Sequence, residues 1–189
     1  MPIHLLITLE CMFLAFLLIG LLFFRGGRHG LAWFLTLAPF LAGAAELLLF
    51  QAGLVRPLVA LDSATYLGMS IVAQVLVSGA LLLYGCSLGS HRARIPMWHQ
   101  DADSPTQIVT WGVYGHVRHP FYTSYLLLMP ACCLASPSLP MLLIALYCAV
   151  MLNITAATEE RELLRLFGRE YAEMMARTGR FFPRWGAAA

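Results

Sequence analysis

Residues 121–157 read FYTSYLLLMPACCLASPSLPMLLIALYCAVMLNITAA, a stretch without a single charged residue. Two apolar segments, 121–135 and 141–157, flank the sequence Ser-Pro-Ser-Leu-Pro at 136–140. Proline has a fixed φ and no backbone N–H, so the two prolines of this sequence predict a turn that ends one helix and begins the next. The stretch therefore predicts a tight hairpin of two apolar helices, the first kinked at Pro130.

Three further apolar stretches precede this hairpin, and each reaches the roughly 20 residues that a membrane span needs. They are Ile3–Phe24, Leu31–Leu54 and Ala64–Leu88. The chain of 189 residues is 60% hydrophobic and 12% charged, with a mean hydropathy of +0.74. Soluble domains carry about 25% charged residues. We therefore predict an all-α polytopic membrane protein of about five transmembrane helices, forming a single domain over 1–189.

The arginines predict the orientation of these spans. All twelve basic residues are arginine, and with the N-terminus outside, Arg56 is the one that falls in an outer loop. The remaining eleven then face the cytoplasm, as the positive-inside rule requires. An even number of spans would destroy this asymmetry. We predict a multi-pass inner-membrane protein of a bacterium or archaeon, with its N-terminus outside and its C-terminus in the cytoplasm.

The remaining composition argues against two classes of site. None of the five cysteines forms a C-x-x-C pair, four of them lie in apolar runs, and His and Cys do not recur at metal-ligand spacing. We interpret the cysteines as small buried hydrophobes and expect no metal site. The formal net charge of +2 gives no indication of nucleic-acid binding.

A first polar cluster stands just before the hairpin, where residues 112–122 read GVYGHVRHPFY. Pro120 suits the first position of a helix. One interpretation is an aromatic belt at the membrane interface, with Arg118 as an anchor for lipid phosphate. However, this stretch also concentrates hydrogen-bonding side chains, which could line a polar cofactor pocket.

A second cluster stands just after the hairpin and begins at Glu159-Glu160. Acidic residues near a helix start would be stabilised by its dipole, although the last span is expected to continue directly into this segment. Leu163, Leu166, Phe167 and Tyr171 recur at helical spacing. They predict an amphipathic C-terminal helix on the cytoplasmic face, lying on the membrane or capping a pocket.

The two clusters together resemble the core of the isoprenylcysteine carboxyl methyltransferase and phospholipid methyltransferase superfamily, in a prokaryotic-type form. The resemblance runs from about residue 99 to residue 183. It comprises Arg118-His119-Pro120-x-Tyr122, then Glu159-Glu160-x-x-Leu163-x-x-x-Phe167-Gly168-x-x-Tyr171, then Arg180-Phe181-x-Pro183. Either half alone is moderately specific, whereas their order and spacing together are specific.

The resemblance implies a membrane-embedded fold that binds S-adenosylmethionine, with three N-terminal spans in 1–88 and a cofactor-binding catalytic core in 89–185. By motif position, the candidate catalytic residues are Arg118, Glu159 and Glu160. The implied cofactor-binding residues are His99 or Gln100, the stretch Thr106, Gln107, Ile108 and Val109, and Tyr114, His119, Pro120, Tyr122 and Glu159. A carboxylate can bind the cofactor's ammonium or a ribose hydroxyl, and aromatic faces attract its sulfonium, which suits these residue types.

Two residues bear on the methyl acceptor. The eukaryotic prenylcysteine enzymes carry an arginine four residues before the motif glutamate, where this chain has Thr155. Thr155 favours a neutral or amine acceptor, unless Arg118 or Arg161 replaces that arginine. Glu46, in the second span, is an acid that either packs in protonated form or lines a cavity for the acceptor. We therefore expect Thr155 and Glu46 to contribute to acceptor binding.

The sequence thus predicts an integral membrane methyltransferase that uses S-adenosylmethionine. Its acceptor would be lipid-like, would enter from the bilayer, and would carry a carboxylate, amine or thiol. A sterol-reductase-like membrane enzyme is an alternative, because its helix start is similar to Arg-His-Pro-x-Tyr. A non-enzymatic transport or assembly protein is another, although no internal repeat is visible.

Overall fold

The computed structural model of the protein describes residues 1–22, 31–91 and 107–184. In this part of the chain the fold contains six α-helices and no β-strand. The helices are α1 (Ile3–Leu22), α2 (Leu31–Gln51), α3 (Ser63–Gly89), α4 (Pro120–Ala135), α5 (Leu139–Phe167) and α6 (Arg169–Arg177), with a 3₁₀ turn at Gly112–Gly115 between α3 and α4. The all-α prediction is confirmed.

Two of these helices, α3 and α5, are long and apolar enough to cross a membrane. Both expose large aliphatic side chains on their outer surfaces, including Leu67, Val75 and Leu82 on α3 and Leu143 and Leu146 on α5. Exposed apolar surface of this extent suits contact with lipid better than contact with water. The apolar portions of the other helices that the structure describes are shorter, so the five-span arrangement stays a prediction.

Local signals account for the helix ends. Asp62 caps α3 by accepting hydrogen bonds from the backbone N–H groups of Ala64 and Thr65, at 3.0 and 2.9 Å, and such a cap contributes about 1 kcal/mol. Ser138 caps α5 in the same way, accepting from the N–H of Met141 at 3.2 Å. The α4–α5 connection is three residues long, 136–138, and not the predicted five, 136–140, because Leu139 and Pro140 form the first turn of α5.

The last apolar helix continues well beyond its apolar part. Helix α5 runs from Leu139 to Phe167, which places Glu159 and Glu160 inside it. It ends at Gly168, whose φ of +50° suits a residue without a side chain. The predicted amphipathic segment is therefore not one helix, since it comprises the end of α5 and the separate helix α6. Helix α6 buries Tyr171 and Met174 and exposes most of its other residues.

Close packing of α3 against α4 forms the largest helix interface in the described chain. The buried face of α3 includes Ala73, Val77 and Ala80, and that of α4 includes Ala131 and Ala135. Small residues let two helix backbones approach closely, which is how helices associate where lipid removes the hydrophobic driving force. The interface holds the start of α4 in a fixed position relative to the end of α3.

The bundle core is aromatic near its centre. Tyr125 of α4 is fully buried and lies edge-on to Phe40 of α2, with ring centroids 4.7 Å apart. Its ring also contacts those of Phe121, at 5.2 Å, and Tyr84, at 6.3 Å. Edge-to-face pairs at these distances are favourable, so these rings tie α2, α3 and α4 together.

The two ends of the bundle differ in character. At one end the α2–α3 loop meets the α4–α5 turn, where the N–H of Leu58 donates to the Pro137 carbonyl at 2.7 Å. The Tyr66 hydroxyl donates to the Ala135 carbonyl at the same end. The other end combines the end of α3, the 3₁₀ turn, the start of α4 and the end of α5. Both polar clusters of the sequence lie at that second end.

Candidate functional site

A short extended contact joins the C-terminal tail to the segment that leads into α4. Val117 and Gly179 form an isolated parallel bridge. The Gly179 N–H donates to the His116 carbonyl at 3.2 Å, and the Gly179 carbonyl accepts from the Arg118 N–H at 2.9 Å. The His119 N–H donates to the Arg180 carbonyl at 3.0 Å. Residues separated by about sixty positions are thereby held side by side.

Glycine is required at the centre of this contact. A Cβ built on Gly179 would lie 1.7 Å from the Phe182 carbonyl oxygen and 2.9 Å from its carbonyl carbon. Both are backbone atoms, which cannot move aside without shifting the tail. The tail can therefore fold back against residues 116–119 only because position 179 has no side chain.

Two arginines share one buried glutamate in this region. Arg118 Nε donates to Glu160 Oε1 at 2.9 Å, and Arg180 donates to Glu160 Oε2 through Nε at 3.0 Å and through Nη2 at 2.5 Å. Arg118 also donates through Nη1 to the Thr178 carbonyl, and at 3.3 Å to that of Met175. Burial would raise the pKa of the Glu160 carboxyl, but His119 and the two arginines hold this pKa well below its usual range.

His119 lies between the two adjacent glutamates. Its Nδ1 is 3.5 Å from Glu159 Oε2 and its Nε2 is 3.4 Å from Glu160 Oε1. Burial alone would lower the pKa of this imidazole, but the two carboxylates outweigh that effect and raise the pKa above its ordinary value of 6.5. His119 therefore retains its proton to a higher pH than a free histidine does. Despite these contacts, buried Nε2 makes no hydrogen bond to the described residues.

Tyr122 completes the contact between α4 and α5. Its hydroxyl donates a short hydrogen bond to Glu159 Oε1, and its ring is stacked on that of His119 with centroids 5.4 Å apart and planes 5° from parallel. Pro120 is the first residue of α4 and is buried. It begins the helix so that the side chains of His119 and Tyr122 both face the two glutamates.

The 3₁₀ turn places Tyr114 on the same side of the site. Tyr114 shares a hydrogen bond of 2.8 Å with His91 Nε2, just beyond the end of α3, and Trp111 Nε1 donates to the Ser90 carbonyl at 2.8 Å. Burial, with a smaller contribution from the negative charge of Glu159, raises the pKa of the Tyr114 hydroxyl. The turn depends on Gly112, whose φ is +61° and whose position a Cβ could not occupy without meeting Ser90 Oγ at 2.5 Å.

The structure thus brings together seven of the residues proposed from the sequence. Arg118, His119, Pro120, Tyr122, Glu159 and Glu160 form one cluster, and Tyr114 adjoins it. Gln107, Ile108 and Val109 are non-helical residues that precede the 3₁₀ turn. Three other predicted cofactor-binding residues, His99, Gln100 and Thr106, lie outside the described residues.

The two residues proposed for acceptor binding are not brought together. Thr155 is buried on α5, one helical turn before Glu159. Glu46 is buried at the opposite end of the bundle, where its Oε1 accepts hydrogen bonds from Ser136 Oγ at 2.8 Å and from Ser138 Oγ. Thr155 lies seventeen positions after Ser138 along α5, about 25 Å of helix. Glu46 therefore joins α2 to the α4–α5 turn and does not line an opening shared with Thr155.

Sequence reasoning missed several residues of the site. Arg180 was recognised as part of a motif but was given no role, although it binds Glu160 and donates through Nη1 to Asn153 Oδ1 at 3.0 Å. Thr178 and Tyr171 are buried beside Arg118 and Glu160. A comparison of charges in the two motifs could have identified Arg180. The single positive charge of Arg118 does not balance the two negative charges of Glu159 and Glu160.

The described residues contain no group of three or more His, Cys, Asp or Glu arranged to hold a metal ion. The donors that they offer are suited to an organic ligand. Glu159 offers a carboxylate, His119 offers a ring nitrogen, and Tyr114 and Tyr122 offer aromatic rings. Carboxylates bind ammonium and hydroxyl groups, while aromatic rings attract cations through their faces.

Comparison with known proteins agrees with this donor set. Residues 91–170 match the family model of the phospholipid methyltransferases. The matched segment contains both polar clusters and ends before Arg180. Over residues 91–170, the match agrees with the resemblance to the phospholipid methyltransferase part of the isoprenylcysteine carboxyl methyltransferase and phospholipid methyltransferase superfamily. No curated protein and no solved structure matches the chain significantly.

Proposed function

Because residues 91–170 match the phospholipid methyltransferase family, we propose that this protein is an integral membrane methyltransferase that uses S-adenosylmethionine. The acceptor is a lipid-like molecule that enters from the bilayer. The observation that carries the proposal is the position of Glu160 between Arg118 and Arg180. This arrangement assembles the start of α4, the end of α5 and the C-terminal tail into one polar site beside two long apolar helices.

The donor set of the site fits the cofactor. When bound, S-adenosylmethionine would supply a methyl group activated by the positive charge of its sulfonium. Glu159 is placed to accept from an ammonium or a ribose hydroxyl. Buried His119 Nε2, which lacks a hydrogen-bond partner among the described residues, is placed to donate to a carboxylate. Tyr114 and Tyr122 offer ring faces to a cation, an interaction worth about 0.5–2 kcal/mol.

The chain's own contribution to rate is positioning and exclusion of water. Methyl transfer requires the acceptor atom to be aligned with the methyl group, and correct alignment accounts for much of the rate enhancement in such reactions. Tyr122, His119 and Glu159 fix one another through a hydrogen bond and ring stacking, so their positions are set before a ligand binds. The proposed catalytic residues Arg118 and Glu160 pair with each other beside His119 and help to hold this group in place.

The acceptor would reach the site along the apolar surface of α5. Thr155 lies between that surface and Glu159, and its side chain carries no charge. Arg118 is engaged with Glu160 and with backbone carbonyls, so it is not free to replace the arginine that Thr155 lacks. Arg161 donates to Ala157 and Thr158 of its own helix. These contacts favour an amine or a neutral group as the group that is methylated, over an isoprenylcysteine-type carboxylate.

We place the site on the cytoplasmic face, where the cofactor is available. The proposed topology has five spans with the N-terminus outside, which puts both polar clusters inside. The sterol-reductase-like alternative is less favoured because the matched family transfers methyl groups, and the same match argues against a non-enzymatic transport or assembly protein.

Two measurements on the detergent-purified protein test the proposal. Titration calorimetry should detect micromolar binding of S-adenosylmethionine or S-adenosylhomocysteine to the wild type. Glu159→Ala should weaken this binding at least about tenfold, which corresponds to one lost charge-assisted hydrogen bond. Glu162→Ala, which removes an exposed carboxylate three residues further along α5, is the matched control and should bind normally.

The second measurement is the transfer of a labelled methyl group from S-adenosylmethionine into a total lipid extract. The wild type should produce labelled lipid, and Glu159→Ala should produce far less. Absence of binding by the wild type, or equal binding by the wild type and Glu159→Ala, would overturn the cofactor assignment.

A further inference from the structure

The exposed surface of α5 changes character at Asn153. Leu143, Leu146 and Val150 are exposed and follow one another at intervals of three and four residues, so they form one stripe along the helix. Asn153 continues this stripe, and its exposed amide is the first strongly polar side chain on it. The apolar part from Leu143 to Asn153 is about 15 Å long.

Arg180 lies at the polar end of this stripe. Its Nη1 donates to Asn153 Oδ1 at 3.0 Å, while Nε and Nη2 donate to Glu160. Since arginine only donates hydrogen bonds, the atom of Asn153 that faces it is the oxygen, and the amide NH₂ group remains to bind something else. Three of the five guanidinium N–H groups are used in these contacts with described residues.

The charge balance leaves a positive excess on the exposed side. Arg118 and Arg180 share the single carboxylate of Glu160, so these three groups carry one net positive charge. The Arg118 side chain is 9% exposed and points its remaining donors at backbone carbonyls, whereas that of Arg180 is 35% exposed. Arg180 is therefore the member of the three that a charged ligand can reach.

From this geometry we propose that Asn153 and Arg180 form the headgroup subsite for a methyl acceptor that carries an alkyl chain and a phosphate or carboxylate. The chain lies on the Leu143–Val150 stripe, and the anionic group accepts from the Arg180 guanidinium and the Asn153 amide. This anchor leaves the methylated group of the acceptor to reach inward toward Glu159. The inference rests on the proposed function. It assigns the binding of the acceptor's anionic group to Arg180 and Asn153, because Thr155 carries no charge.

The test uses dodecyl phosphate as an anionic probe and dodecyltrimethylammonium as its cationic counterpart. Calorimetry is performed on the full-length protein in a non-ionic detergent. The wild type should bind dodecyl phosphate at least about tenfold more tightly than the cation, in line with charge-assisted hydrogen bonding. Asn153→Asp places a carboxylate at the subsite and should weaken phosphate binding at least about tenfold while strengthening binding of the cation.

Arg169→Gln is the matched control. It changes the net charge by the same amount as Asn153→Asp, but at an exposed residue of α6 that pairs with Glu173. It should leave the binding of both probes unchanged. Arg180→Gln should weaken phosphate binding like Asn153→Asp, but it also removes a partner of Glu160, so Asn153→Asp is the decisive variant. Equal binding of dodecyl phosphate by Asn153→Asp and the wild type would overturn the subsite.

A competition experiment identifies what the subsite serves. Dodecyl phosphate should inhibit methyl transfer into the lipid extract without displacing S-adenosylmethionine. If it binds through Asn153 but does not inhibit transfer, the site is a contact for bulk lipid and the proposal is wrong. If the wild type binds dodecyl phosphate through Asn153 but never binds S-adenosylmethionine, the anionic subsite stands while the methyltransferase proposal fails.

Discussion

Arg118 and Glu160 lie 42 residues apart in the sequence, yet Arg118 Nε donates to Glu160 Oε1 at 2.9 Å, and both side chains are at least nine-tenths buried. This contact joins the residue two positions before α4 to a residue near the end of α5. The chain connects α4 to α5 at the opposite end of the bundle, through residues 136–138. The Arg118–Glu160 pair therefore links the two helices at the end that carries the site. Arg180 adds the C-terminal tail to the same carboxylate.

Loss of the Glu160 charge should destabilise the fold. Glu160→Gln leaves Arg118 and Arg180 without their shared counter-charge, and breaking a buried pair costs about 3–5 kcal/mol. We expect about 3 kcal/mol, the lower end of that range, because Arg180 stays partly solvated. Unfolding in detergent with increasing denaturant measures the change. Glu162→Gln, which breaks the exposed pair with Arg165, should change stability far less, because solvent screens this pair. Similar losses in both variants would contradict the assigned role of Glu160.

His119 should make stability fall as pH rises above neutrality. Its pKa in the folded protein is raised above 6.5, so its proton stabilises the fold fully below the unfolded pKa. That contribution is lost as pH rises through the folded pKa. Unfolding of the wild type and of His119→Asn should therefore differ most near pH 6 and converge at higher pH. A difference between them that grows with pH would contradict the sign of this shift.

Glu160 should act in the opposite direction at low pH. Its folded pKa is depressed, so its contribution is present above the unfolded pKa and is lost as pH falls through the folded one. The destabilisation caused by Glu160→Gln should therefore be full at pH 6 and should diminish in strong acid. Denaturant titrations of both proteins between pH 3 and pH 6 measure this trend, and a constant difference across that range would argue that the charge of Glu160 is not what stabilises the fold.

Tyr122 should affect turnover far more than Tyr125, although both are tyrosines of α4. Tyr122→Phe removes the hydroxyl that holds Glu159, and the loss of a positioned contact can lower the rate by about 10²-fold. Tyr125 is buried among Phe40, Tyr84 and Phe121, so Tyr125→Phe keeps the ring that packs the core. The labelled methyl-transfer assay compares the two. Normal turnover by Tyr122→Phe would show that the hydrogen bond to Glu159 has no part in catalysis.

Gly179→Ala should displace the C-terminal tail. The added methyl group would collide with the Phe182 backbone at 1.7 Å, and forced overpacking costs about 1–3 kcal/mol. Because the tail carries Arg180, methyl transfer should fall as well. Gly85→Ala on α3 is the control, since no atom lies within 4 Å of its Cβ position. It should leave activity intact and stability unchanged or higher by up to about 1 kcal/mol. An active, stable Gly179→Ala protein would show that the tail is not needed in this position.

Reporter fusions should place the α2–α3 loop and the α4–α5 turn on one side of the membrane. The hydrogen bond between Leu58 and Pro137 puts these two connections at the same end of the bundle, and the arginine asymmetry predicts that this end is outside. Fusions after Val59 and Pro137 should report the outer side, and a fusion after Ala189 should report the cytoplasm. Opposite reports from Val59 and Pro137 would contradict both the orientation and the packing.

Much of the fold could be predicted from the sequence because its signals are local. The charge-free stretch around Pro137 and Pro140 predicted the end of α4 at Ala135, since proline acts on its own backbone, whereas α5 begins at Leu139, two residues earlier than predicted. The amphipathic segment was wrongly predicted to be one continuous helix, although Gly168 stands at the break between α5 and α6. A helical repeat of Leu163, Phe167 and Tyr171 continues across that glycine, and periodicity does not register a backbone conformation that only glycine adopts readily.

Of the site, the sequence by itself determined which residues are candidates for the chemistry: Arg118, His119, Tyr122, Glu159 and Glu160 stand out because charged and polar groups are scarce in so apolar a chain. Only the tertiary structure decided how they pair. Glu160 is held by arginines from two distant segments, Glu159 is held by Tyr122, and Glu46 lies at the far end of the bundle with Ser136 and Ser138. Pairing depends on which helix ends meet, and that is set by the packing of α3, α4 and α5 and by the return of the tail at Gly179, which no local pattern records.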